Sequence, residues 1–161
     1  MLYIVEGIDK CGKSTFIRAQ GITVFCEGID EFVTICETLK RHDKVVVHFD
    51  SSDKNPVESL KICAAFSKRC DIYMDRCWMS EMTYGAVYRG EINLEPKDEQ
   101  YIIGLVQNTP HILYYFSKRI AVLDAFDPYE CDEKLKCVKT RYDNLISRYK
   151  KLLNVYSVEV L

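Results

Sequence analysis

Apolar positions along this chain change period repeatedly, from short unbroken runs to three-and-four spacing and back. The run Tyr3-Ile4-Val5 sits in a first strand over 2–6, and a helix follows over 13–20, ending at Gly21. A short apolar piece, Ile22 to Phe25, comes next. Ile29, Phe32, Val33, Cys36 and Leu39 then recur at helical spacing and predict an amphipathic helix over 28–41. Val45 to Phe49 reads as a second strand, bounded by Asp43-Lys44 and by a turn over 50–53. Pro56 opens a helix over 56–69 that carries Val57, Leu60, Cys63, Ala64 and Phe66. A third strand occupies 71–75, a helix 78–89, and another helix 95–108, whose buried face is Tyr101, Ile102, Leu105 and Val106. His111 to Phe116 is the fourth strand. The stripe Leu135, Val138, Tyr142, Leu145, Ile146, Tyr149 and Leu153 marks a long helix over 132–153, and 155–160 closes the pattern as a fifth strand. Strands alternating with helices predict right-handed crossovers and one domain over 1–161: a three-layer α/β/α fold with a five-stranded parallel sheet.

The join between the first strand and the first helix reads Glu6-Gly7-Ile8-Asp9-Lys10-Cys11-Gly12-Lys13-Ser14-Thr15. This is G-x-x-x-x-G-K-[ST] in the strand–loop–helix context that the motif requires, and it places the fold among the P-loop NTPases. Gly7 and Gly12 let the backbone wrap an anion, so that N–H groups from Lys10 to Thr15 and the helix N-terminus face the phosphates of a nucleotide such as ATP. Lys13 reaches the terminal phosphates, and the Ser14 hydroxyl is a ligand for Mg²⁺.

Composition narrows the partners. A net charge of −2, with 29% charged residues, argues against a molecule built to wrap nucleic acid. The basic residues of the last helix, from Lys134 to Lys151, leave a local patch that also reads as a solvated face. Eight cysteines occur, none in a C-x-x-C pair and most within apolar segments, so they read as small buried hydrophobes in a reducing cytosol. No apolar run approaches membrane-spanning length, and the three histidines show no metal-ligand spacing.

In a parallel sheet, ligands gather at the C-terminal ends of the strands. The third strand ends in Asp75-Arg76, followed by Cys77-Trp78-Met79-Ser80-Glu81-Met82-Thr83-Tyr84-Gly85. A carboxylate there can orient Mg²⁺, and an arginine beside it can clamp a phosphate with its planar fork. The pair alone reads equally well as a surface ion pair, and the phosphate loop upstream tips the balance toward a phosphoryl-transfer site.

The loop from Glu6 to Thr15 is similar to the E-G-x-D-x-x-G-K-S-T loop of thymidylate kinases, and Asp75 to Tyr84 resembles their D-R-Y-x-x-S-x-x-[AF]-[YF] motif, with Cys77 where the family has tyrosine. The run Ser80-Glu81-x-x-Tyr84-Gly85-x-x-Tyr88-Arg89 looks more like the compact nucleotide kinases of bacteriophages, which implies the host cytoplasm as compartment. The resemblance implies that Asp9 accepts the acceptor's 3′-hydroxyl, that Arg76 holds its phosphate, and that Ser80 and Tyr84 line its site, with Tyr84 against the sugar. It implies that Lys10 stabilises the transferring phosphoryl group, because a lid over 117–131 offers only Lys118 and Arg119 against Asp124, Asp127 and Glu130. Phe66 and Arg69 echo the family's base-stacking and base-reading pair, although they lie closer to Asp75-Arg76 than the family places them; helical spacing alone makes Phe66 a core residue. Only Lys54 substitutes for the basic loop after the second strand. A homodimer packed through helices is also implied.

The expected activity is transfer of the ATP γ-phosphoryl group to a deoxynucleoside monophosphate, dTMP or a modified relative. Two alternatives stay open. One keeps the donor site and phosphorylates a hydroxyl of a deoxynucleoside or of a hydroxymethyl-pyrimidine in DNA, with Asp75 or Asp9 as base. The other is a nucleotide-binding switch without efficient transfer.

Overall fold

The structure, a computed structural model, describes residues 1–49, 56–118 and 133–160. The expected turn at 50–53, Lys54, and the lid beyond Lys118, with Arg119, Asp124, Asp127 and Glu130, lie outside the described residues.

In chain order the elements are β1 (Leu2–Gly7), α1 (Lys13–Arg18), β2 (Val24–Cys26), α2 (Ile29–Ile35, continued by a 3₁₀ turn over Cys36–Thr38) and β3 (Lys44–His48). Then come α3 (Pro56–Phe66), β4 (Asp71–Asp75), α4 (Trp78–Ser80, widening into a π-helix over Glu81–Arg89), α5 (Pro96–Gln107), β5 (His111–Lys118), α6 (Glu133–Tyr149) and β6 (Val155–Val160). Among the described residues the strands form one six-stranded parallel sheet in the order β2-β3-β4-β1-β5-β6.

The sixth strand is β2, which overlaps the short apolar piece from Ile22 to Phe25, to which the sequence pattern assigns no element. Three residues cannot display an alternation, and β2 is an edge strand paired only through Val24 to Cys26 along β3. The helix expected over 28–41 is shorter, because its backbone tightens at Cys36 and turns extended at Leu39. Tyr101, expected in the core, is 47% exposed, with Lys61 over its ring.

Both faces of the sheet are covered. Successive residues of a strand point to opposite sides, and on β5 Tyr114 meets Phe16 of α1 while Tyr115 stacks on Tyr142 of α6. The central strand β1 buries Leu2, Ile4 and Val5 completely, as expected for a strand covered on both faces. Fully buried Trp78 joins α4 to α6 by donating to the Tyr149 hydroxyl at 3.1 Å. No described helix is long and apolar enough to cross a membrane.

Candidate active site

Three neighbouring strand ends, Gly7, His48 and Asp75, define the working edge of the sheet. The loop leaving β1 passes through Lys10 at φ 55° and Gly12 at φ 89°, an excursion that turns successive backbone N–H groups into an anion-binding concavity. Gly7 is required for a different reason: at φ 138°, a Cβ there would lie 2.0 Å from the carbonyl oxygen of Phe116 on β5. Beneath the loop, the buried Cys11 thiol donates to the Ile8 carbonyl at 2.7 Å, so Cys11 offers the cleft its backbone. Lys13 is buried, and its ammonium donates to the carbonyls of Gly7 at 2.9 Å and Ile8 at 2.5 Å. Burial pushes its pKa below the ordinary lysine value. Residues Asp9 to Thr15 line one cleft together with His48, Asp75, Arg76 and Lys118, so the expected nucleotide-binding residues come together.

A second cleft, of about 520 Å³, opens beside it and is lined by His48, Phe49, Arg76, Ser80, Glu81, Tyr84, Gly85, Tyr88 and Arg89. The two clefts share His48 and Arg76. Arg76 itself is held in the left-handed region at φ 71°, a conformation costly for a residue with a side chain, while its N–H donates to the Val5 carbonyl at 2.9 Å. This turn carries the guanidinium back over the phosphate loop. There it pairs with the Asp9 carboxylate and lies 5.0 Å from the centre of the Tyr84 ring. The Tyr84 hydroxyl accepts the Asp9 backbone N–H at 2.9 Å, so Asp9, Arg76 and Tyr84 form one cluster.

Two residues whose roles the sequence did not reveal hold this arrangement. Glu6 is completely buried and accepts from the Cys77 N–H (2.7 Å), the Ser80 N–H (3.3 Å), the Ser80 hydroxyl (2.8 Å) and the Tyr142 hydroxyl (2.9 Å). Burial pushes its carboxyl pKa up, and these donors together with Arg76 pull it back. Ser80 therefore serves Glu6 as well as lining the cleft. The signal was an acid at the end of an apolar strand. The second residue, His48, ends β3 directly opposite Asp75 on β4, and its Nδ1 lies 3.0 Å from Asp75 Oδ2. That hydrogen bond raises the imidazole pKa, with burial opposing it. Its signal was only its register at a strand tip.

Phe66 does not reach the site. It ends α3, which runs back along the sheet, and the next strand begins at Asp71, so Phe66 and Arg69 lie at the opposite end of the strands. Phe66 packs edge-on against fully buried Phe32 at 5.7 Å and beneath Arg69, partly buried against the core. Among the described residues no three His, Cys, Asp or Glu side chains cluster to hold a metal.

No protein-family model and no curated protein matches this chain in sequence. Solved structures do match. The Bacillus subtilis YorR protein, solved in complex with phosphorylated GDP, superposes with a TM-score of 0.67 over 99% of this chain and 85% of that one, at 16% identity. Thymidylate kinase from Ehrlichia chaffeensis superposes with a TM-score of 0.51 over 99% of this chain and 86% of that one, at 13% identity. The α/β layering, the parallel sheet and the phosphate loop at its working edge thus give this chain the fold of the thymidylate kinase-like P-loop kinases.

Proposed function

We propose that this chain is an ATP-dependent deoxynucleoside monophosphate kinase that transfers the γ-phosphoryl group to dTMP or a related pyrimidine deoxynucleotide. The observation that carries the reading is the meeting of the two clefts at Arg76 and His48. A donor phosphate in the loop and an acceptor phosphate on Arg76 would face each other in line across that junction.

The chemistry asks little covalent help. An oxygen of the acceptor phosphate forms the new P–O bond to the γ-phosphorus as the bond to the β-phosphate oxygen breaks, and the electron pair leaves with ADP. The acceptor oxygen is already anionic, so no base is needed. What the protein supplies is position and positive charge: Lys13, Lys10 and the loop N–H groups on the donor, and Arg76 on the acceptor. Asp9 receives the sugar hydroxyl and Tyr84 packs against the sugar. Ser14 and Asp75 border the same cleft, and Asp75 gives one oxygen to His48, leaving the other to face a cation. They would hold Mg²⁺, which takes most of its ligands from water and phosphate and so suits a site with few protein ligands. When bound, it neutralises charge on the nucleotide phosphates.

The His48–Asp75 pair favours one second reading, a hydroxyl acceptor, because such an acceptor needs a base beside it. One assay separates the two: ADP release from Mg-ATP with dTMP, dUMP, dCMP, dAMP, dGMP, thymidine and hydroxymethyl-pyrimidine DNA as acceptors. The monophosphate reading expects strong stimulation by one pyrimidine monophosphate. Stimulation only by thymidine or by the DNA sinks it.

A further inference from the structure

The wide helix Glu81–Arg89 carries a charge pair that the phosphoryl chemistry does not use. Glu81 is only 7% exposed, and its Oε1 accepts both the Arg89 guanidinium and the Asn93 N–H, the latter at 2.8 Å. Its other oxygen takes no hydrogen bond among the described residues. Yet no buried side-chain polar atom among them lacks a partner, so that oxygen keeps some solvent access, and the space beside Glu81 is the cleft that it lines. A carboxylate so deeply buried is costly unless its lone pairs are satisfied, and a free oxygen facing a cleft points to a ligand that brings an N–H.

Arg89 stands eight residues further on and reaches back across Gly85. A Cβ on Gly85 would lie 2.6 Å from Arg89 Nη2 and 3.1 Å from Glu81 Oε1. The glycine is the corridor through which acid and base meet. The cleft therefore holds a phosphate-binding arginine at the strand tip and, along the helix, one acceptor beside one fork of donors. Phe49, Tyr84 and Tyr88 supply its aromatic walls.

We propose that Glu81 and Arg89 read the hydrogen-bonding edge of the acceptor's base and select one that presents a single N–H donor beside an acceptor atom. This rests on the reading of the cleft as a deoxynucleotide acceptor site. Thymine, cytosine and adenine present such an edge. Guanine, with two adjacent N–H donors, calls for both carboxylate oxygens, and Oε1 is already committed to Arg89 and Asn93.

The test is equilibrium binding to the full chain of the four deoxynucleosides and their monophosphates, followed by the preferred nucleoside against an analogue with its Watson–Crick N–H positions methylated. We expect the guanine nucleoside to bind weakest and the methylated analogue to lose about tenfold. Glu81→Gln should narrow that discrimination to about twofold, since an amide both donates and accepts. Gly85→Ala should do the same by displacing the Arg89 fork, with both charged residues still present, and it keeps the test open if Glu81→Gln fails to fold by circular dichroism. If both variants weaken every ligand by one common factor, the pair is scaffolding and the proposal falls. If a monophosphate stimulates ADP release while the base ranking is unchanged in the variants, the base-reading proposal alone falls. If no nucleoside or monophosphate binds and none stimulates, the acceptor-site reading falls with it.

Discussion

The two clefts that meet at Arg76 are built from different materials. The loop from Gly7 to Thr15 is shaped by backbone: positive φ at Gly7, Lys10 and Gly12, a thiol turned inward at Cys11, and a lysine docked on two carbonyls. The neighbouring cleft is shaped by side chains on a π-helix, a wide and uncommon conformation that concentrates at functional sites. A site made of backbone can hold any phosphate, whereas one made of side chains can distinguish one acceptor from another. Under the proposed function, reactivity falls to the first region and selectivity to the second, and substitutions can break that division.

The largest expected effect is on the backbone-built side. Lys13→Ala removes a buried ammonium that donates to the Gly7 and Ile8 carbonyls and should lower kcat/KM by about a thousandfold, roughly 4 kcal/mol of transition-state stabilisation. Steady-state kinetics on a variant with unaltered circular dichroism checks it, and normal turnover would remove the kinase assignment. Next comes Gly7→Ala. The new methyl would meet the Phe116 carbonyl at 2.0 Å in a backbone region that favours glycine, so unfolding stability should fall by about 3 kcal/mol. Urea denaturation measures it, and a loss confined to activity would show that the loop, not β5, had yielded.

The same difference explains what could be read in advance. A backbone-shaped anion site must be contiguous and rich in glycine, so Gly7 to Thr15 announces itself in the primary sequence. The parallel sheet was equally legible, because β1, β3, β4 and β5 each show an apolar run and β6 spaces Val155, Val158 and Val160 along an edge strand, while three-residue β2 is too short to show a pattern. The side-chain site is assembled from strand tips and one helix that are distant in sequence. His48 is opposite Asp75 only because β3 and β4 are in that register, and Glu81 meets Arg89 only because Gly85 lies between them. Phe66 shows the opposite failure: an aromatic residue at attractive spacing sits at the wrong end of the sheet, since helices between parallel strands run back.

Glu6 belongs to both regions and tests whether they are mechanically joined. Glu6→Gln keeps the shape but turns an acceptor into an N–H group facing donors at Cys77, Ser80 or Tyr142, which should cost about 2 kcal/mol of stability. Because Cys77 directly follows Arg76, acceptor KM should rise as well, while KM for ATP holds. An equal rise in both would show that the donor loop is not independent of the turn beside it.

Tyr84→Phe is the smallest change and the most discriminating. The ring that lies over Arg76 is retained, and only the hydroxyl that accepts the Asp9 N–H at 2.9 Å is lost. A single hydrogen bond at a cleft surface contributes about 1 kcal/mol, so kcat/KM for the acceptor should fall about fivefold. If the hydroxyl merely steadies Asp9 in the donor loop, the loss will fall on the KM for ATP. If Tyr84 belongs to the acceptor wall, the loss will fall on the acceptor and will differ between deoxyribose and ribose monophosphates, since the proposed acceptor site sets the ring against the sugar. The second outcome is expected, because Tyr84 lines the side-chain cleft and not the loop cleft.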